Sequence, residues 1–128
     1  GWEESDFRVR QYMASVTRCY PGKHASGRGD RVPTPDEQTL CAKWRERELQ
    51  LLDLKVIIPV GKLAIGLYFD ARLPLNKIIG QVKLENGISI VPLPHPSGAS
   101  TWYMQPENQV LIEMAIAHLR RLREEYSL

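Results

Sequence analysis

Cysteine is scarce in this 128-residue chain, with Cys19 and Cys41 the only two. Two thiols make no disulfide framework, so the fold has to rest on a packed core, and one ordinary domain of this length can bury one. A single Cys19–Cys41 disulfide stays open, as does the plainer role of small core residues. Charge of one sign is equally scarce. Lysine and arginine outnumber aspartate and glutamate by 17 to 15, a net +2 that permits a nucleic-acid partner without arguing for one. No apolar run approaches the roughly 18 residues of a membrane span. The polar opening Gly1-Trp2-Glu3-Glu4 is unlike a secretory signal, so a cytoplasmic protein is expected. Internal repeats and low-complexity stretches are missing too. The balance of 43% hydrophobic and 25% charged residues is that of a globular protein, not a disordered one.

The chain is punctuated clearly. Tyr12-Met13-Ala14-Ser15-Val16-Thr17 is rich in strand formers and stops before Pro21-Gly22, which predicts a strand. A long loop follows from Tyr20 to Pro33, carrying Lys23, His24, Arg28 and Arg31; loops of this length inside a domain are usually functional or mobile. Its Arg28-Gly29-Asp30 triplet is a chance match to an adhesion motif in a cytoplasmic protein. Thr34-Pro35-Asp36-Glu37 is a capping box with proline at the first helical position. Leu40, Trp44 and Leu51, with Cys41 and Leu52 beside them, predict one apolar stripe on the helix that follows. Val56-Ile57-Ile58-Pro59-Val60 has no polar alternation, as expected of a strand buried on both faces. Gly61 then opens a short helix through Leu63, Ala64 and Leu67. Asn86-Gly87 between two alternating runs, 82–84 and 88–90, predicts a hairpin. A last helix runs from near Pro106 to about Tyr126. The order strand, helix, strand, helix, hairpin, helix predicts an α/β layered domain with a mostly parallel sheet.

In such sheets ligands gather beyond the C-terminal strand ends. Two segments leave strands there: the loop after Thr17, and Pro94-His95-Pro96-Ser97-Gly98. Pro94 and Pro96 fix backbone angles and remove donors, so His95 is held on a stiff, irregular backbone. A structural histidine and a catalytic one remain about equally matched on placement alone.

His95-Pro96-Ser97 resembles the second motif of the uracil-DNA glycosylase superfamily. The upstream series resembles its iron–sulfur bacterial and archaeal branches: Tyr12 through Cys19, then Arg31-Val32-Pro33-Thr34-Pro35-Asp36-Glu37, Cys41 and Glu46-Arg47-Glu48-Leu49. Val56 through Ala64 resembles their next strand and glycine turn. The similarity runs in order over nearly all of residues 8–122.

The resemblance implies a three-layer α/β/α fold and, within it, a single partial domain over 1–128, the C-terminal portion of the family's domain. It also implies base-excision DNA repair by hydrolysis of the N-glycosidic bond of a deaminated base, flipped out of the stack so that its reacting bond is reachable. Negative charge collects on the departing base, so a preorganised donor at the base oxygen is the largest contribution. By resemblance His95 is that donor, and a neutral imidazole can fill the role. Pro96 and Ser97 become substrate contacts, with Ser97 placed for the flanking phosphate. Residues 98–104 take the place of the DNA-intercalating loop. Ser100 and Thr101 are hydroxyl donors to phosphate, and Trp102, Tyr103 and Met104 are candidate wedges, although aromatic residues before a helix more often pack against it. Lys23, Arg28 and Arg31 are expected to meet the DNA backbone. Cys19 and Cys41 match the last two of four cysteines around a 4Fe-4S cluster, further apart than is usual in the family because the Tyr20–Pro33 loop is longer. A zinc site with His24 fits no standard spacing.

The family's first motif, a glycine-rich loop that positions the attacking water, is expected upstream of residue 1. The isolated chain is accordingly expected to excise nothing, and to self-associate through an exposed sheet edge. Ser15 stands where the uracil-specific branch has an asparagine reading the base edge, which resembles the branch of broader specificity. Two other readings stand beside this one: a nucleic-acid-binding relative without catalysis, and an unrelated α/β nucleotide-binding or interaction domain. The second lacks its usual mark, because no Gly-x-Gly-x-x-Gly or Walker sequence follows a strand.

Overall fold

The capping box at Thr34 does in three dimensions what its spacing predicts. The Glu37 N–H donates to Thr34 Oγ1 at 3.3 Å and the Thr34 N–H to Glu37 Oε2 at 2.8 Å, and the helix runs Pro35–Leu51. The computed structural model describes residues 3–96 and 101–128, and the chain divides after Asp53 into two compact units.

In the first unit a short helix, α1 (Glu4–Arg10), precedes α2 (Pro35–Leu51). The sequence reading missed α1, although a box between Glu3 and Asp6 starts it and a 2.6 Å Glu4–Arg8 ion pair at i,i+4 spans it. The strand expected over Tyr12–Thr17 does not form. The segment has no regular structure, bends at Val16 and Thr17, and pairs with no strand among the described residues; an α2 side chain reaches its Val16 carbonyl instead. Arg18 grips the Glu48 carboxylate with Nε 2.8 Å from each oxygen, and Arg45 reaches the Val16 carbonyl at 3.5 Å. Strand propensity records what suits a pleated surface and cannot supply the neighbour. The apolar stripe of α2 is corrected as well: Leu40, Trp44 and Leu51 are exposed and Cys41 is its buried member. The Tyr20–Pro33 loop folds on itself, with a Lys23–Asp30 bridge and the Arg31 N–H donating to the Gly22 carbonyl at 3.0 Å.

The second unit is α/β. Its strands β1 (Val56–Ile57), β2 (Lys83–Glu85) and β3 (Ile88–Ile90) lie in the order β1-β3-β2, with α3 (Gly61–Ile65) after β1 and α4 (Pro106–Glu125) last. The hairpin is as expected: Asn86 and Gly87 both take positive φ, 51° and 79°, the two left-handed residues of a tight turn. The sheet is mixed rather than mostly parallel, because β1 pairs with β3 in parallel and β2 antiparallel.

The β1 ladder is longer than its two named residues. The N–H groups of Ser89, Val91 and Leu93 donate to the carbonyls of Lys55, Ile57 and Pro59 at 3.0, 2.9 and 3.0 Å, and the Gly61 N–H closes the series onto the Leu93 carbonyl at 2.9 Å. In this register residue 59 would donate to Val91, and proline has no N–H to give, so the ladder is interrupted there. On the other strand Pro92 and Pro94 alternate with the donors Val91 and Leu93. They end pairing on the β2 side while leaving the β1 side intact. The expected burial on both faces of 56–60 is not met, with Ile58 39% and Val60 42% exposed.

Two buried clusters hold this unit together, both covered by α4. Ile65, Ile78 and Ile79 pack with Phe69, Leu75, Trp102, Leu111 and Ile112; Val91, Ala115 and Leu122 pack with Val56, Leu93 and Leu119. Among the described residues no helix is long and apolar enough to cross a membrane.

Candidate active site

The parallel ladder delivers two residues to one place. It ends at Gly61 on one strand and at Leu93 on the other, and two residues beyond Leu93 stands His95. Gly61 has φ +81°, in the left-handed region that a side chain disfavours. A Cβ built on it would lie 3.3 Å from His95 Cδ2 and 3.4 Å from His95 Cβ. The backbone of the glycine turn is therefore the floor on which His95 rests. His95 and Pro96 are exposed, Pro94 half-buried, so the imidazole is carried at the strand end rather than in the core. Ser97, Gly98, Ala99 and Ser100 lie outside the described residues.

The loop that resumes at Thr101 is anchored from inside. Trp102–Met104 forms a 3-10 turn in which the half-buried Trp102 packs on the isoleucine cluster, a placement that suits an anchor better than a wedge. Thr101 is exposed and Tyr103 half-buried; Met104, 62% exposed, is the apolar side chain standing out of this turn. Asn108, buried in the first turn of α4, donates from Nδ2 to the Trp102 carbonyl at 2.8 Å and to Gln105 Oε1 at 3.0 Å. Sequence reasoning missed Asn108; an amide two residues into a proline-started helix was the available signal. A shallow cleft of about 340 Å³ between Lys62 of α3 and Leu75, Trp102, Gln105 and Asn108 was also missed, because its walls are far apart in sequence.

In the first unit the two cysteines meet. The Cys41 sulfur accepts hydrogen bonds from the backbone N–H groups of Arg18 and Cys19 and from the Cys19 thiol. The N–H of Arg18 first, then that of Cys19, holds the Cys41 thiol below its ordinary range against the opposing effect of burial. No disulfide joins the two. Cys19 is exposed and Cys41 buried, and among the described residues no third histidine, cysteine or carboxylate completes a metal site with them. Two thiols with N–H donors on the sulfur suit one half of a cysteine-ligated cluster.

Ser15 is exposed, and its carbonyl accepts from the Arg18 guanidinium. Of the loop cations, Lys23 pairs with Asp30 at 3.3 Å, and Arg31 forks onto Glu37 at 2.5 and 2.8 Å. Those bonds, Arg31 first and then the Thr34 backbone, lower Glu37 from 4.5 to about 2. Arg28 stands exposed near the loop tip. His24 turns its Nδ1 to Ser26 Oγ at 2.9 Å.

Comparison with known proteins bears on both units. The type-4 uracil-DNA glycosylase of Thermotoga maritima is 26% identical over 88 residues, 67% of this chain and 43% of that protein. The type-5 uracil-DNA glycosylase of Thermus thermophilus is 36% identical over 55 residues, 42% of this chain and 22% of that protein. The matched stretch is thus less than half the length of either relative. These are the two branches whose iron–sulfur motifs the sequence resembles. The model of the uracil DNA glycosylase superfamily matches residues 1–120, and the chain belongs to that superfamily.

Proposed function

We propose that this chain is the C-terminal portion of a DNA-repair glycosylase, acting on uracil or a related deaminated base flipped out of DNA. The observation that carries the reading is His95, exposed at the end of the β1–β3 ladder and seated on a glycine turn, inside the region matched to the superfamily. Glycosidic cleavage leaves negative charge on the base oxygen, and a donor held in place before the reaction stabilises that charge without reorganising. His95 supplies the donor. Pro94 and Pro96 stiffen its backbone, and Pro96 and Ser97 are the substrate contacts that the resemblance to the family's motif implies. Ser15 reads the base edge, and its small side chain admits bases other than uracil.

DNA is the partner in this proposal. Arg28, together with Lys23 and Arg31 where they release their carboxylates, faces phosphate; Ser100 and Thr101 add hydroxyl donors, with Trp102 and Tyr103 beside them. Cys19 and Cys41 would hold two irons' worth of thiolate ligation in a 4Fe-4S cluster, a group that orders structure in such sites. The three-layer α/β/α architecture and the single domain over 1–128 belong to the same proposal, as does a water-orienting group from elsewhere in the full-length protein. The isolated 128 residues then excise nothing. They self-associate through the outer edge of β1, which has no partner strand among the described residues.

The test is abasic-site formation by the full-length protein on DNA containing uracil or hypoxanthine, with His95→Ala alongside. Excision by the parent, and a loss of roughly 100-fold in the variant with unchanged stability, is expected for one oxyanion donor. DNA binding without excision would instead make the chain a non-catalytic relative.

A further inference from the structure

We propose that Gly61 is a positioning residue for His95: its bare, left-handed backbone sets where the imidazole sits, and any side chain there moves the donor. This rests on the reading of His95 as the base-oxygen donor. Three observations support it. The Gly61 N–H is tied to the Leu93 carbonyl at 2.9 Å, so the glycine is fixed to the very strand that carries His95. Its φ of +81° turns the chain from β1 into α3 and presents the Cα toward the ring. A Cβ would stand 3.3 Å from Cδ2, 3.4 Å from Cβ and 3.7 Å from Cγ of His95. All three are carbon atoms of His95, so Gly61 meets the Cβ–Cγ–Cδ2 side of the side chain rather than its ring nitrogens. At such separations the neighbour must yield by a few tenths of an ångström, and that neighbour is His95. Gly61 touches no substrate in this account. Its effect passes through the ring.

The experiment is a double-mutant cycle in the full-length protein, with Gly61→Ala, His95→Ala and both together assayed for excision under single-turnover conditions. Gly61→Ala should slow excision roughly tenfold to a hundredfold, the cost of displacing a preorganised group, with the half-saturating enzyme concentration little changed. In the His95→Ala background the same substitution should cost almost nothing, because the ring it displaces is gone. Equal losses in both backgrounds would mean Gly61 serves folding alone and would overturn the inference. Parental excision by Gly61→Ala, with His95→Ala slow, would overturn it too while leaving the donor reading intact. Parental excision by His95→Ala would sink the donor reading itself. If Gly61→Ala does not fold, the parent still decides: a nuclear Overhauser contact between Gly61 Hα and His95 Hδ2 is expected, and its absence refutes the proposed floor.

Discussion

Asn108→Ala should weaken the second unit by an amount that its two hydrogen bonds set. Asn108 is 3% exposed, and its amide donates to the Trp102 carbonyl at 2.8 Å and to Gln105 Oε1 at 3.0 Å. At about 1 kcal/mol net for each neutral bond, the loss is about 2 kcal/mol, and more where the Trp102 carbonyl finds no water in exchange. Asn108→Asp sharpens the test, since it keeps the shape but replaces the donor by an acceptor. Gln105 can turn its amide to meet a carboxylate, whereas the Trp102 carbonyl cannot. The helix N-terminus favours the new charge by about 0.3–1 kcal/mol, too little to offset a carboxylate facing a carbonyl. The facing carbonyl would raise that aspartate's folded pKa above the unfolded one, while leaving it ionised at neutral pH. Its deficit is therefore full at neutral pH and shrinks as pH falls through the folded pKa, where the protonated acid can donate again. Urea unfolding at neutral and mildly acid pH measures all of this. An Ala variant within about 0.5 kcal/mol of the parent, the range of ordinary surface substitutions, would refute the reasoning, as would an Asp variant equal to the parent at neutral pH.

Two other outcomes are expected. Arg31→Gln should lower stability at neutral pH, with the difference from the parent fading as pH falls from 4.5 toward about 2; Glu37 is depressed to that value by Arg31, so its contribution exists above the unfolded pKa and is lost on protonation. Acid titration of the unfolding midpoint in both proteins checks it, and a difference independent of pH would count against the ion pair. Full-length protein purified without oxygen should be brown, and Cys41→Ser should lose the colour and the bound iron; colourless, iron-free parent would return Cys19 and Cys41 to structural thiols.

The elements legible in the sequence are those specified locally. The Thr34 box, the proline starting α4 and the Asn86-Gly87 turn each concern residues a few positions apart, and each stands where expected. Pairing was not local and was less legible. Tyr12–Thr17 has strand composition but pairs with no strand among the described residues, and Pro59 interrupts a ladder that its neighbours alone would continue. The α2 stripe shows the same limit, since periodicity tells which residues share a face but not what covers it. At the site, His95 was legible because prolines mark its backbone, and the meeting of Cys19 with Cys41 followed from the resemblance. Gly61 was read only as a helix opening. Its contact with His95 exists because two strand ends converge, which no local pattern encodes.

The one-sided ladder also has a kinetic consequence. Lys55–Gly61 and Ser89–Leu93 form a parallel zipper between segments distant in sequence, so its closure comes late in folding, after the hairpin has provided β3 as a template. Opening starts at the free end. The Gly61 amide is its last donor, so its hydrogen should exchange with solvent sooner than that of Val91, which lies in the protected centre. The catalytic candidate thus stands two residues beyond the rung expected to open first. A base seated against His95 would hold that rung closed, and occupancy would register as slowed exchange at Gly61.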